Sequence, residues 1–186
     1  MRAVMLEVPP HLLEERRRLG VDRWDEMWRG ELHMVPPPAE RHQSLGSRLV
    51  EVIGPLARER GLKLAYAIGL FTADDDYRVP DFAVYRPDQA SARGLEGTAE
   101  AVVELVSPGD ESRAKVPWYL ARGVREVVLI DRDTLAVEVH RADDAPALDA
   151  GGSGSGGSAV LGCAFGRIDD DHLRVTTPGG SVEISP

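Results

Sequence analysis

Two apolar stretches of this chain each carry one carboxylate that the apolar pattern does not account for. Asp81 lies in VPDFAVY, and Glu104 lies in AVVELV. Because the side chains of a strand alternate between its two faces, Glu104 shares a face with Val102 and Val106. A carboxylate in such an apolar position is unfavourable unless it is paired or binds a metal. If the two strands are neighbours, Asp81 and Glu104 converge.

Converging carboxylates, with waters completing the shell, are the hard oxygen ligands that Mg²⁺ prefers. Lys115 follows on the next predicted helix and could reach the same point, where an ammonium stabilises negative charge on a phosphate. Lysine is rare in this chain, since only Lys63 and Lys115 are lysines among 22 basic residues. Asp81, Glu104 and Lys115 therefore predict metal-assisted hydrolysis of a phosphate ester. A partly buried ion network without catalytic function is the alternative.

Other acids and one histidine lie near these stretches. Glu31 follows a predicted turn at Arg29-Gly30, either as a solvent-facing strand residue or as a third acid near the metal. His42 lies in the first turn of a predicted helix, either as a capping or packing residue or as a ligand. The acidic run at residues 74–76 lacks the alternate spacing of a calcium loop, so we predict a turn there.

The remaining pattern predicts the scaffold. Apolar residues at helical spacing indicate helices, and shorter apolar runs bounded by turn residues indicate strands. The predicted helices cover residues 9–20, 39–60 and 110–122, and the predicted strands cover a hairpin at 24–35, then 62–72, 79–85, 101–106, 126–131, 136–141 and two short pieces of the tail. This order is typical of an α/β protein with a mixed sheet flanked by helices, here with an N-terminal helix and hairpin and a C-terminal β addition. The Gly/Ser-rich residues 150–158 predict a flexible loop.

Composition bounds the class of protein. A chain of 186 residues with 42% apolar residues suits a single domain, which we predict over residues 1–186. The single cysteine, Cys163, excludes an internal disulfide and fits a reducing cytoplasm. No run approaches the roughly 20 apolar residues of a membrane span, so we expect no membrane partner. The net charge of −9 argues against tight non-specific binding of nucleic acid, although a bound metal could supply positive charge locally.

An ordered series of short motifs resembles the Uma2 family of endonucleases, in the PD-(D/E)XK nuclease superfamily. The series comprises GEL at residues 30–32, PPPxxxH at residues 36–42, VPD at residues 79–81, VVELVSP at residues 102–108, and the stretch 115–125 before the strand EVVLID. The resemblance covers about residues 25–141. It implies a restriction-endonuclease-like core and a phosphodiesterase site that depends on Mg²⁺ or Mn²⁺.

By this resemblance, Asp81 matches the aspartate of the PD motif and Glu104 matches the (D/E) position. Both are therefore expected to be catalytic metal ligands. The lysine that usually follows two residues after the acid is replaced by Val106. Lys115, from the following helix, matches a lysine that can take its place in this family.

The resemblance also implies accessory residues and partners. Glu31 and His42 match family motif positions and are carried over as accessory residues near the site. DNA is the implied substrate, and the pairing of two sites across two strands in this superfamily raises the hypothesis of a homodimer. The leading hypothesis is therefore a cytoplasmic, Mg²⁺-dependent endonuclease. A non-catalytic interaction protein on a nuclease scaffold and a metal-dependent hydrolase of another phosphate ester stay open as alternatives.

Overall fold

A computed structural model describes residues 3–5, 8–143 and 155–186 of the chain. Within these ranges the helices are α1 (Pro10–Leu19), α2 (Glu40–Glu59) and α3 (Ser112–Leu120), with one 3-10 turn at Pro87–Gln89. The strands, in chain order, are β1 (Ala3–Met5), β2 (Glu26–Trp28), β3 (Glu31–Met34), β4 (Lys63–Tyr66), β5 (Leu70–Ala73), β6 (Asp76–Arg78), β7 (Phe82–Tyr85), β8 (Leu95–Glu96), β9 (Ala101–Val106), β10 (Glu126–Asp131), β11 (Val137–Arg141), β12 (Ser155–Ser158), β13 (Cys163–Arg167), β14 (Leu173–Thr177) and β15 (Gly180–Ile184). The predicted mixed α/β architecture is confirmed. None of the helices in the described ranges has the length and apolar character that crossing a membrane requires.

One five-stranded sheet carries the stretches that hold Asp81 and Glu104. Its strand order is β11-β10-β9-β7-β4. Strands β9 and β10 run parallel, whereas the pairs β10–β11, β7–β9 and β4–β7 are antiparallel. A parallel pair needs a crossover connection, and α3 supplies it between β9 and β10. The helix that carries Lys115 is therefore packed directly on the strand that carries Glu104.

Apolar side chains pack on both faces of this central sheet. On one face, Leu49 of α2 is fully buried against a core that includes Phe82 of β7. On the other face, Tyr119 of α3 is fully buried in a second core with Val102 of β9. Glu104, two residues after Val102, belongs to the face that α3 covers.

A second sheet brings the N-terminal hairpin towards α3. Its strand order is β1-β3-β2-β6-β5-β8. Strands β2 and β3 form the predicted hairpin, with Arg29 at φ 51° and Gly30 at φ 90° between them. Positive φ at both central residues is the requirement of a type I′ turn, and glycine meets it without strain.

The C-terminal strands form an antiparallel sheet in the order β12-β13-β14-β15. Of the loop predicted at residues 150–158, residues 150–154 lie outside the described residues. For Ser155–Ser158 the loop prediction is wrong, because these residues form β12 and pair with β13. Ser158 is buried, and its hydroxyl donates a hydrogen bond to Glu126 Oε2 at 2.5 Å. Strand pairing and this buried contact outweigh the flexibility that the Gly/Ser composition favours.

Candidate active site

The antiparallel pairing of β7 with β9 brings Asp81 and Glu104 together. The register pairs Phe82 with Val103, so continuing it by one residue places Asp81 opposite Glu104. Residues directly opposite in such a pair have Cβ atoms about 4.5–5.5 Å apart. Asp81 Oδ2 also accepts a hydrogen bond from the backbone N–H of Leu105 at 2.7 Å. The carboxylate of Asp81 is therefore anchored beside Glu104, in agreement with the alternation of the two strands.

Lys115 reaches Glu104 from α3. Its Nζ lies 2.7 Å from Glu104 Oε1 and 3.1 Å from Glu26 Oε1. The hydroxyl of Tyr119 donates a hydrogen bond to the same Glu104 Oε1 at 2.7 Å. Residues four apart on a helix share a face, so α3 presents both donors to Glu104. The three residues that the sequence singles out thus meet at one place.

Glu26 of β2 belongs to this cluster, although the sequence analysis did not single it out. Its Oε1 accepts a hydrogen bond from the backbone N–H of Val79 at 2.9 Å, and its Oε2 accepts one from the indole Nε1 of Trp28 at 2.8 Å. An acid between two tryptophans, in WDEMW, is the signal that could have found it, since a buried acid needs partners. Tyr119 carries a weaker signal, because an aromatic residue of a helix is ordinarily interpreted as core.

Burial and the crowding of like charges control the protonation of this cluster. Glu104 is 2% exposed and Lys115 is 7% exposed. Burial raises the pKa of Glu104 to about 8; the charge of Lys115 opposes this shift, whereas Asp81 and Glu26 add to it. Burial alone would lower the pKa of Lys115, but the charges of Glu104 and Glu26 hold it above its ordinary value. One ammonium therefore faces three carboxyl groups.

His42, in the first turn of α2, lies beside Asp81. The imidazole Nε2 is 3.3 Å from Asp81 Oδ1. The ring is buried, and its Nδ1 has no hydrogen-bond partner within the described residues. The imidazole packs against the Asp81 carboxylate and restricts its orientation. The structure therefore brings His42 to the cluster.

Glu31 and the acidic run lie elsewhere. Glu31 is on β3, its side chain is 47% exposed, and its ionic contact is with His33 Nε2 at 3.9 Å. It does not line the cavity that the other predicted residues share. Residues 74–75 form the predicted turn, and Asp76 is buried and accepts a hydrogen bond from Trp118 Nε1 at 3.1 Å.

A cavity of about 380 Å³ adjoins the cluster. Its lining includes Trp24, Glu26, residues 36–39, His42, Tyr66, Asp81, Glu104, residues 107–112, Lys115 and Arg132. In the described part of the chain, no group of three or more His, Cys, Asp or Glu side chains is arranged to hold a metal by itself. Mg²⁺ needs fewer protein ligands, because one or two carboxylates are completed by waters and substrate phosphates. Asp81 and Glu104 fit this requirement, and the excess of carboxylates over ammonium suits a cation.

A protein-family model decides where this chain belongs. The model described as "Uma2: Putative restriction endonuclease" matches residues 21–154. The chain belongs to the Uma2 family. The matched range contains every residue of the cluster and confirms the resemblance drawn from the sequence motifs.

Comparison with solved structures relates this Uma2 chain to other proteins of known fold. A crystal structure from Anabaena variabilis ATCC 29413, described as "a putative nuclease belonging to DUF820", is similar with a TM-score of 0.56 and 22% identity, over 65% of this chain and 73% of that chain. A cryo-electron-microscopy structure of a DrdV–DNA complex is similar with a TM-score of 0.32 and 14% identity, over 59% of this chain and 13% of that chain. Curated proteins gave no match. The first likeness establishes the fold, and the predicted restriction-endonuclease-like core is confirmed.

Proposed function

We propose that this Uma2 protein is a divalent-metal-dependent endonuclease that hydrolyses the phosphodiester bonds of DNA. The meeting of Asp81, Glu104 and Lys115 at one cavity carries the proposal. Its family model is described as "Putative restriction endonuclease", which supports a nucleic-acid substrate.

Asp81 and Glu104 would hold Mg²⁺ or Mn²⁺ at this cavity. When bound, the ion would supply a Lewis acid and an activated water at the scissile phosphate. The hydrogen bonds of Lys115 and Tyr119 to Glu104 both use Oε1, which makes Oε2 the oxygen suited to the metal. His42 and the backbone N–H of Leu105 orient the Asp81 carboxylate from two sides.

Lys115 would serve in place of a lysine at position 106. Val106 is 3% exposed and packs in the core beneath α3, so β9 itself offers no cation there. From α3, the Lys115 ammonium lies 2.7 Å from Glu104, where it can hold the attacking water or stabilise charge that develops on the phosphate.

One observation favours a second candidate, a non-catalytic interaction protein. Lys115 already contacts Glu104 at 2.7 Å without any metal, as it would in a purely structural ion network. The two candidates differ in whether the cluster binds Mg²⁺. The predicted homodimer is a separate matter, and the mass of the protein in solution tests it.

Calorimetry with Mg²⁺ and cleavage assays on single-stranded DNA, duplex DNA, RNA and nucleotides test the proposal. The proteins are wild type, Glu104→Gln, Lys115→Ala and, as a matched control at an exposed lysine, Lys63→Ala. We expect Glu104→Gln to lose metal binding, and Lys115→Ala to cleave about 100-fold to 1,000-fold more slowly while still binding metal. The control should match wild type.

Two results would contradict the proposal. Unchanged Mg²⁺ binding by Glu104→Gln would remove the metal assignment. A wild-type protein that cleaves none of the polynucleotides would point to the interaction protein, or, if it hydrolyses only nucleotides, to a hydrolase of another phosphate ester.

A further inference from the structure

We propose that Glu26 is a positioning residue that holds the ammonium of Lys115 against Glu104 at the cavity. Its catalytic consequence rests on the proposed nuclease function, whereas the positioning rests on geometry. Glu26 lies on β2 of the six-stranded sheet, and Glu104 lies on β9 of the central sheet. The two carboxylates thus approach Lys115 from different sheets and join these sheets to α3.

The carboxylate of Glu26 is fixed by contacts other than Lys115. Trp28 Nε1 donates to Oε2 at 2.8 Å, and the backbone N–H of Val79 donates to Oε1 at 2.9 Å. Trp28 is itself held, because the guanidinium of Arg78 lies 4.3 Å from the centre of its ring. Glu26 is 3% exposed, so water does not compete for these bonds. Oε1 is therefore held at 3.1 Å from the Lys115 ammonium.

A lysine that reaches a site from a helix benefits from such a second partner. Fixing a long, flexible lysine side chain costs up to about 2 kcal/mol of rotamer entropy. With Glu104 as its only partner, the ammonium could swing around one oxygen. Between Glu104 Oε1 at 2.7 Å and Glu26 Oε1 at 3.1 Å, the position of Nζ is defined.

Glu26 is not arranged to bind the metal itself. Both of its oxygens accept hydrogen bonds from protein donors, whereas the donors to Glu104 among the described residues use Oε1. Its action on the reaction therefore passes through Lys115. Loss of comparable outer partners of metal ligands typically costs 10-fold to 100-fold in activity.

The scarcity of lysine in this chain gives a direct measurement of the position of Lys115. In a Lys63→Arg background, Lys115 is the only lysine. Its ¹⁵Nζ signal in the metal-free protein then reports one ammonium, whose exchange with water is slow only when it is buried and hydrogen-bonded. We compare this background with Glu26→Gln, which keeps an acceptor without charge, and with Glu26→Ala, which removes both.

We expect the protected ammonium signal to weaken in Glu26→Gln and to be lost in Glu26→Ala. Turnover should fall by about 10-fold to 100-fold with little change in KM, because Glu26 acts on the reaction through the position of Lys115. Glu126→Gln is the matched control, since it alters an equally buried glutamate away from the cavity. It should leave both the ammonium signal and turnover unchanged.

An unchanged Lys115 signal in folded Glu26→Ala would overturn the positioning role. If Glu26→Ala does not fold, Trp28→Phe removes one donor to Glu26 and should produce a smaller loss of the same signal; no loss there would equally overturn it. If wild type cleaves no nucleic acid, the proposed function fails, while the ammonium signal still decides whether Glu26 positions Lys115.

Discussion

Two glutamates lie buried on neighbouring parallel strands, and their surroundings are opposite. Glu104 on β9 and Glu126 on β10 are each 2% exposed. Burial works against the ionised form of Glu126, but hydrogen bonds from the Ser158 hydroxyl, two backbone N–H groups and Arg141 lower its pKa below the ordinary value. Glu104 instead lies beside the Lys115 ammonium, which other carboxylates also approach, and burial raises the pKa of Glu104 to about 8.

The comparison distinguishes a buried charge with a structural role, Glu126, from a cluster around Glu104 in which carboxyl groups outnumber the ammonium. Glu126 accepts bonds on both oxygens and ties the start of β10 to the segment after β12. Glu104 is bonded on Oε1 and lies near Asp81 and Glu26, both acidic. The two glutamates are similarly buried, but the charge of Glu126 is satisfied by fixed donors and that of Glu104 is not. The cluster around Glu104 is therefore the one that a cation would complete.

The largest expected contrast is the effect of pH on metal binding. The raised pKa of Glu104 means that its carboxyl group is protonated below about pH 8, so a proton would compete with a metal bound there. We expect Mg²⁺ affinity to rise about tenfold per pH unit from about pH 6 towards about pH 8 and then to level off. Calorimetry in two buffers of different ionisation enthalpy counts the released proton. An affinity that does not change across this range, with no proton released, would contradict a proton on Glu104 that competes with the metal. The control, Glu126→Gln, should follow the wild-type pH profile.

For the free energy of unfolding we expect a smaller difference in the opposite direction, with the Glu126 substitution having the larger effect. Glu126→Gln removes the charge that several donors satisfy, so we expect a loss of about 1.5–3 kcal/mol. Glu104→Gln should lose less or gain stability at about pH 8 without metal, because it relieves the repulsion from Asp81 and Glu26. Urea unfolding of the metal-free proteins measures both. Equal losses in the two variants would mean that Glu104 is as well satisfied as Glu126.

The smallest expected effect is that of His42→Gln. Loss of the imidazole next to Asp81 should loosen one of the two carboxylates proposed to bind the metal, but it removes no charge from the site's carboxylates. We expect Mg²⁺ affinity to fall by about 2-fold to 10-fold, as for loss of one polar contact. The exposed His172 provides a matched substitution, His172→Gln, which should have no effect. A complete loss of binding in folded His42→Gln would make this histidine a ligand rather than an orienting partner.

Local patterns are sufficient to predict the strand part of the cluster. Glu104 interrupts the apolar strand β9 and Asp81 directly precedes β7, and extending the alternation by one residue places them on a common face once the strands pair. The hairpin turn at residues 29–30 follows in the same way, since glycine accepts the positive φ that the turn requires. These predictions need only the chemistry of neighbouring residues.

Contacts between distant elements escape such patterns. Glu26 meets Lys115 across 89 residues of sequence, and an acid near a hairpin turn is ordinarily exposed. Ser155–Ser158 have the composition of a loop, yet pairing with β13 makes them a strand. Glu31 matches a motif position, but its half-exposed side chain lies outside the cavity, so its accessory role stays a prediction.

The long separation of the clustered residues also affects when the cavity can form. The contact between Glu26 and Lys115 closes a loop of 89 residues, and such non-local contacts are slow to form because the entropy of loop closure opposes them. A nascent or partly unfolded chain therefore carries each of these side chains without an assembled site. If the protein cleaves DNA, that activity is present only after the hairpin, the central sheet and α3 have docked.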